Sequence, residues 1–68
     1  MIKYNKKIYT YEALITGAKA FQKLCKISIS DYGEYWKVNF ENCIEDEQLT
    51  KKEFGNYIIE IINGAAIL

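Results

Sequence analysis

Apolar residues recur at helical spacing near the end of the chain and predict its strongest element, a helix with a wide apolar stripe. Thr50 and Glu53 form a capping-box pattern, in which the Thr50 hydroxyl would cap the helix. Leu49 and Phe54 occupy the two positions of a hydrophobic staple, and the Asn-Gly pair at 63–64 is a stop signal. The rest of the chain must cover this helix. The stripe comprises Phe54, Tyr57, Ile58, Ile61, Ile62 and Ala65.

An earlier helical pattern predicts a second helix over residues 11–25. Thr10 is placed to cap it, and Glu12 adds a favourable negative charge in the first turn. Gly17 is unfavourable inside a helix by about 1 kcal/mol relative to alanine. We therefore expect Gly17 and Ala18 to lie where a neighbouring element packs closely. The apolar face of this helix comprises Leu14, Gly17, Ala18, Phe21, Leu24 and Cys25.

Alternating apolar and polar residues predict three strands. The first covers residues 2–8, where Lys6 breaks the alternation and indicates an edge strand or a bulge. The other two flank the turn residues 31–34 and form a hairpin. Its inner face would be Ile27, Ile29, Trp36, Val38 and Phe40, and its outer face Ser28, Ser30, Tyr35, Lys37 and Asn39. We expect Trp36 to be shielded by Phe21, Ile58 and Ile62.

The order of these elements predicts an α+β fold, β-α-β-β-α, in a single domain over residues 1–68. A right-handed strand–helix–strand connection makes the first two strands parallel and places residues 35–41 between them. Both helices would cover one face of the three-stranded sheet, like a fragment of a ferredoxin-like fold. The strand at 2–8 would lie on an edge, and residues 65–68 alone remain to pair with it.

Composition narrows the classes of function. The chain has no histidine and no glycine-rich phosphate loop, and the acidic residues at 41–47 lack the spacing of a calcium loop. Cys25 and Cys43 form no C-x-x-C motif, and we expect both to be reduced structural thiols. We therefore predict a protein that is not an enzyme and has no cofactor or metal. Without a long apolar run or a signal-peptide pattern, the expected location is the cytoplasm, away from membranes.

Two surfaces are candidates for binding. The open edge of the first strand could accept an added strand, and its lysines could attract an acidic peptide or simply prevent aggregation. The residues of this edge are Lys3, Tyr4, Asn5, Lys6 and Lys7. The alternative surface is the outer face of the hairpin, with Tyr32, Tyr35, Lys37 and Asn39.

Two segments together resemble the HxsD-like family. The run IYTYEAL at 8–14, followed by Ala20 and Phe21, resembles the opening VY-x-x-EAL…A-x-x-F of that family. The run EFGNYII at 53–59 resembles its EF-x-N-x-L-L helix, with the alternating strands between the two segments. The resemblance implies a small accessory protein that is associated with radical-SAM peptide-modifying enzymes.

That resemblance implies that the partner is a radical-SAM maturase, its ribosomally made precursor peptide, or both. The iron–sulfur cluster and S-adenosylmethionine would belong to the enzyme, since two cysteines cannot hold a cluster. The first alternative is a self-associating structural or regulatory protein, such as a homodimer. A small nucleic-acid-binding module is less favoured, because the chain has no arginine and no aromatic run on its open strands.

Overall fold

The computed structural model describes residues 2–64. Its elements are β1 (Ile2–Asn5), α1 (Tyr11–Ala20), β2 (Lys26–Tyr32), β3 (Tyr35–Glu41) and α2 (Glu47–Ile62). β3 lies between β1 and β2 and is antiparallel to both, so β1 and β2 run parallel to each other. This confirms the predicted α+β fold and its central strand. Neither of these helices is both long and apolar enough to cross a membrane. The expectations for residues 65–68 lie outside the described part.

The fully buried ring of Phe54 on α2 lies at the centre of the core. Its centroid is 5.2 Å from the ring of Phe40 on β3 and 5.6 Å from that of Phe21, just after α1. The ring of Tyr4 on β1 lies 6.2 Å away. These are edge-to-face contacts, a favourable arrangement for aromatic pairs. One side chain thus connects both helical segments with two strands.

Gly17 allows α1 and α2 to approach closely, as its position in the sequence predicted. A Cβ atom at Gly17 would overlap Cδ1 of Ile58 and would lie 3.1 Å from Cε1 of Phe54. Both of these side chains are fully buried, so neither can move into solvent. Glycine is unfavourable inside a helix, but its lack of a side chain allows the two helices to pack this closely.

The predicted start of α2 was wrong. Asp46 is the N-cap residue, and its side chain accepts a hydrogen bond from the Gln48 N–H at 2.9 Å. Thr50 lies inside the helix, is 1% exposed, and donates its hydroxyl to the Asp46 carbonyl at 2.9 Å. Leu49 is 50% exposed, so it forms no buried staple. The earlier start satisfies the buried Thr50 hydroxyl within the helix, which a local capping pattern does not reveal.

This cap gives a testable prediction. We expect Asp46→Ala to lower the free energy of unfolding by about 1 kcal/mol, since an N–H at the helix start loses its acceptor. Glu45→Ala is the matched control, because it removes an exposed carboxylate one residue earlier. Urea denaturation followed by circular dichroism measures both. Equal denaturation midpoints for the two variants would contradict the assignment of Asp46 as the cap.

α1 and β1 are shorter than the sequence patterns predicted, whereas β2 extends into the predicted turn as far as Tyr32. Thr10 caps α1 as expected, accepting from the Ala13 N–H at 3.1 Å, but the helix ends at Ala20 rather than near residue 25. β1 ends at Asn5 rather than at residue 8, because the Asn5 carbonyl accepts the N–H groups of Ile8 and Tyr9. This turn directs the chain from the sheet into α1.

Trp36 lies at the rim of the core and not at its centre. Its indole Nε1 donates to the Tyr9 carbonyl at 3.1 Å, and its ring centroid is 5.2 Å from that of Tyr11. The Lys6 Nζ lies 4.5 Å from the ring centre. The centre of the core is occupied by Phe54, which carries no polar atom, whereas the indole N–H of Trp36 needs a partner.

Cys25 and Cys43 form a disulfide bond, so the prediction of two free thiols was wrong. Cys25 directly precedes β2, and Cys43 follows the end of β3. The hairpin pairs Lys26 with Glu41, which brings the two flanking cysteines together. The bond therefore connects the start of the hairpin to the loop before α2. Sequence spacing alone does not reveal this, because the register of the hairpin decides it.

Candidate binding surfaces

One face of the sheet is not covered by any other part of residues 2–64. The helix-facing side chains of β1 and β3 include Tyr4, Val38 and Phe40, which belong to the buried core. Alternation along each strand places the neighbouring side chains on the opposite side. We call this surface the open face, and it comprises Lys3, Asn5, Ser28, Ser30, Tyr32, Tyr35, Lys37 and Asn39.

Aromatic rings and lysines lie together on the open face. The Nζ atoms of Lys3 and Lys37 lie 4.9 Å and 5.9 Å from the ring centre of Tyr32. Tyr32 is 48% exposed and Tyr35 is 41% exposed. Cations over a ring face are held by its negative potential, so Tyr32 orders two lysines that would otherwise repel each other. The open face is therefore aromatic and basic.

The residues predicted for the β1 edge do not form one surface. Lys3 and Asn5 belong to the open face, whereas Tyr4 faces the helices and is 8% exposed. The Tyr4 ring lies 4.8 Å from that of Tyr9, and burial together with Tyr9 raises the pKa of Tyr4. Lys7 is exposed in the turn after β1. Tyr4 is thus a core residue.

Lys6 lies on the helix side and reaches across the sheet. Besides contacting Trp36, its ammonium group forms an ion pair with the carboxylate of Asp31 at the far end of β2. The hydrogen bond from Lys6 lowers the pKa of Asp31, with a smaller contribution from the Gly33 N–H. The break in alternation at Lys6 therefore reflects this cross-sheet pair.

The β1 edge offers few free backbone groups. The Lys6 N–H donates to the Glu34 carbonyl at 3.0 Å, which fixes the residues of β1 that bond to β3. Because antiparallel pairing alternates, the N–H groups of Lys3 and Asn5 point away from the sheet. The Asn5 carbonyl is already engaged by the turn at 6–8. An added strand would find only a short row of partners there.

The opposite edge, formed by β2, is longer. The same alternation directs the N–H and C=O groups of Ile27, Ile29 and Asp31 away from β3. Within residues 2–64, no strand pairs with this side of β2. The sequence pattern contained the signal for this edge, because placing residues 35–41 in the centre leaves β2 outermost.

A groove lies beside the β2 edge, between α1 and the start of β2. It has a volume of about 460 Å³ and includes the apolar residues Ile15, Ala18, Leu24 and Ile27. Lys19, Lys23 and Lys26 also line it, and no carboxylate does so. We call it the β2 groove. A smaller groove of about 320 Å³ lies between the start of α1 and the end of α2, near Ile8 and Ile62.

No group of histidine, cysteine and carboxylate side chains within residues 2–64 is arranged to hold a metal ion. The described surfaces can bind through backbone groups, tyrosine rings and lysines. No family model, curated protein or solved structure matches the chain. The resemblance to the HxsD-like family therefore stays a prediction.

Proposed function

We propose that this protein is a non-catalytic binding module that acts with a radical-SAM peptide-modifying enzyme, its ribosomally made precursor peptide, or both. The class of partner comes from the resemblance at residues 8–14 and 53–59. The observation that supports a binding role is the open face, where exposed tyrosines and lysines lie side by side. We assign contact with the enzyme to this face.

The chemistry of the open face suits a protein interface. Tyrosine contributes a large apolar ring with a polar tip, and it is enriched among the residues that dominate binding energy. Tyr32 and Tyr35 are register partners at the end of the hairpin, so strand pairing fixes their positions. Lys3 on β1 and Lys37 on β3 are also register partners. A partner would meet a preformed surface and would not need to order a flexible loop.

The proposal places the protein in the cytoplasm with its enzyme. The cytosol keeps most thiols reduced, so Cys25 and Cys43 would be dithiols there and would form their bond on oxidation. The protein itself would carry no cofactor. The iron–sulfur cluster and S-adenosylmethionine would belong to the maturase.

Co-purification with a co-expressed radical-SAM peptide maturase from the same genome tests the proposal. We expect the double variant Tyr35→Thr/Lys37→Glu to bind the maturase at least about tenfold more weakly, because it removes an aromatic anchor and reverses a charge. Threonine preserves the strand propensity at position 35. The control is Lys52→Glu, an exposed charge reversal on α2. Unchanged affinity of the double variant would exclude the open face, and absence of co-purification of the unaltered chain would contradict the function.

A nucleic-acid-binding module is the second candidate, because the open face combines exposed tyrosine rings with nearby lysines. Unpaired bases stack on aromatic side chains, and lysines contact phosphates. Such binding would weaken steeply as salt concentration rises. A gel mobility shift with single-stranded RNA over a salt series distinguishes it from the leading proposal. Size-exclusion chromatography of the protein alone tests for the homodimer.

A further inference from the structure

We infer that the β2 edge and the β2 groove together bind an acidic peptide segment in extended conformation, as a fourth strand of the sheet. This inference deepens the proposed function by giving it a peptide site. Only the source of the peptide, the precursor, rests on that proposal. The binding itself follows from the backbone, the groove and the charges of this chain.

The outer edge of β2 presents backbone groups to a partner. Ile27, Ile29 and Asp31 direct their N–H and C=O groups outward, and none of these groups bonds to other backbone groups of residues 2–64. A strand edge of this kind is a template for an added strand. Main-chain hydrogen bonds provide affinity with little demand on the peptide sequence, which suits recognition of a leader segment.

The groove supplies contacts for alternate side chains. Side chains of an added strand would point in turn toward the open face and toward the helices. Those on the helix side would enter the β2 groove and contact Ile15 and Ala18 on α1. Its volume of about 460 Å³ is in the usual range for small-ligand pockets. A single edge therefore offers both backbone pairing and an apolar contact.

The charges determine the chemistry of the peptide. Lys19, Lys23 and Lys26 line the groove from three successive parts of the chain: α1, the turn after it and β2. The carboxylate on the exposed edge, Asp31, is already paired with Lys6. Glu41 lies opposite Lys26 in the register and reduces the positive potential around that lysine. The net field along the groove is positive and complements glutamate or aspartate side chains.

Exchange of individual backbone amides tests the placement. In the free protein, the N–H groups of Ile27, Ile29 and Asp31 should exchange quickly, and those of Ser28 and Ser30 slowly. A synthetic peptide of alternating glutamate and valine should then protect the three fast amides, and a lysine–valine peptide should not. Protection of Lys3 and Asn5 instead would place the site on β1 and overturn the inference. Concentration-dependent protection without peptide would assign the edge to a second copy and overturn it too.

Two charge-reversal variants test the recognition of acidic side chains. Lys23→Glu should weaken binding of the glutamate–valine peptide about tenfold at low salt, and the difference should shrink as salt rises. The control Lys52→Glu makes the same change outside the groove and should bind as the unaltered chain does. Equal affinity of the two variants would contradict the role of the lysines.

Two substitutions of Asp31 test strand addition. Asp31→Pro removes an outward N–H on an edge strand, where proline is tolerated, and Asp31→Ala removes the same side chain but retains the N–H. We expect the proline variant to bind about fivefold more weakly than the alanine variant. Equal binding by two folded variants would overturn strand addition. If the proline variant unfolds, protection of the Ile27, Ile29 and Asp31 amides by the peptide decides the question. If the protein binds this peptide but does not co-purify with the maturase, that result would contradict the proposed function and leave the peptide site standing.

Discussion

Replacing Phe54 with alanine should lower the free energy of unfolding by about 3–5 kcal/mol. The ring is fully buried and lies within 6.2 Å of the ring centroids of Tyr4, Phe21 and Phe40. Removing a buried phenylalanine costs about 3–5 kcal/mol, because apolar contacts are lost and a cavity remains. Domains have about 0.05–0.15 kcal/mol of stability per residue, or roughly 3–10 kcal/mol for this length. The loss is therefore a large share of the stability expected for a domain of this length.

Ile59→Ala is the matched control for this variant, because Ile59 lies on the same helix and is largely exposed. We expect it to change the free energy of unfolding by less than about 1 kcal/mol. Urea denaturation followed by circular dichroism compares the two variants with the unaltered chain. Similar midpoints for Phe54→Ala and Ile59→Ala would show that the core is not centred on this ring.

The sequence predicted the order and pairing of the elements because these depend on local periodicity and on the handedness of connections. Alternation at 35–40 identified the buried positions Val38 and Phe40, and the glycine at 17 indicated close helix packing. The start of α2 was missed because Asp46 and Thr50 are both acceptable cap residues locally. The burial of Thr50 in the folded protein decides between them.

The centre of the core illustrates a second limit. Trp36 and Phe54 are both large and both lie on apolar faces, so periodicity does not distinguish them. The difference lies in the indole N–H, which needs the Tyr9 carbonyl and so keeps Trp36 near the turn after β1. Such a choice depends on contacts between distant residues, which no single stretch of sequence contains.

The candidate surfaces were predicted only in part. Every residue of the proposed outer hairpin face lies on the open face, but the proposed β1 edge combined residues from both sides of the sheet. Lys6 explains the error, because its break in alternation indicated an irregular edge, whereas it forms a cross-sheet pair with Asp31. The β2 edge emerges only once the register shows which amides point outward.

Reduction of the disulfide should lower the free energy of unfolding by about 3 kcal/mol, without unfolding the protein at neutral pH and room temperature. Cys25 and Cys43 are separated by 18 residues in sequence. A bond that closes a loop of this length stabilises chiefly by restricting the unfolded chain. Cys25 stays in the core after reduction, where a thiol packs as a small apolar side chain.

Urea denaturation with and without a phosphine reductant measures this effect, and alkylation with mass spectrometry counts free thiols before and after. The double variant Cys25→Ala/Cys43→Ala is the control, since its denaturation midpoint should not respond to reductant. An unchanged midpoint of the unaltered chain would contradict a stabilising bond, and two free thiols in the air-oxidised protein would contradict the bond itself.

Alkylation during cell lysis extends the test to the cellular compartment. Two alkylated thiols would agree with the proposed cytoplasmic location, because the cytosol reduces most disulfides. A bonded pair in freshly lysed cells would place the protein in an oxidising compartment, apart from a cytoplasmic maturase.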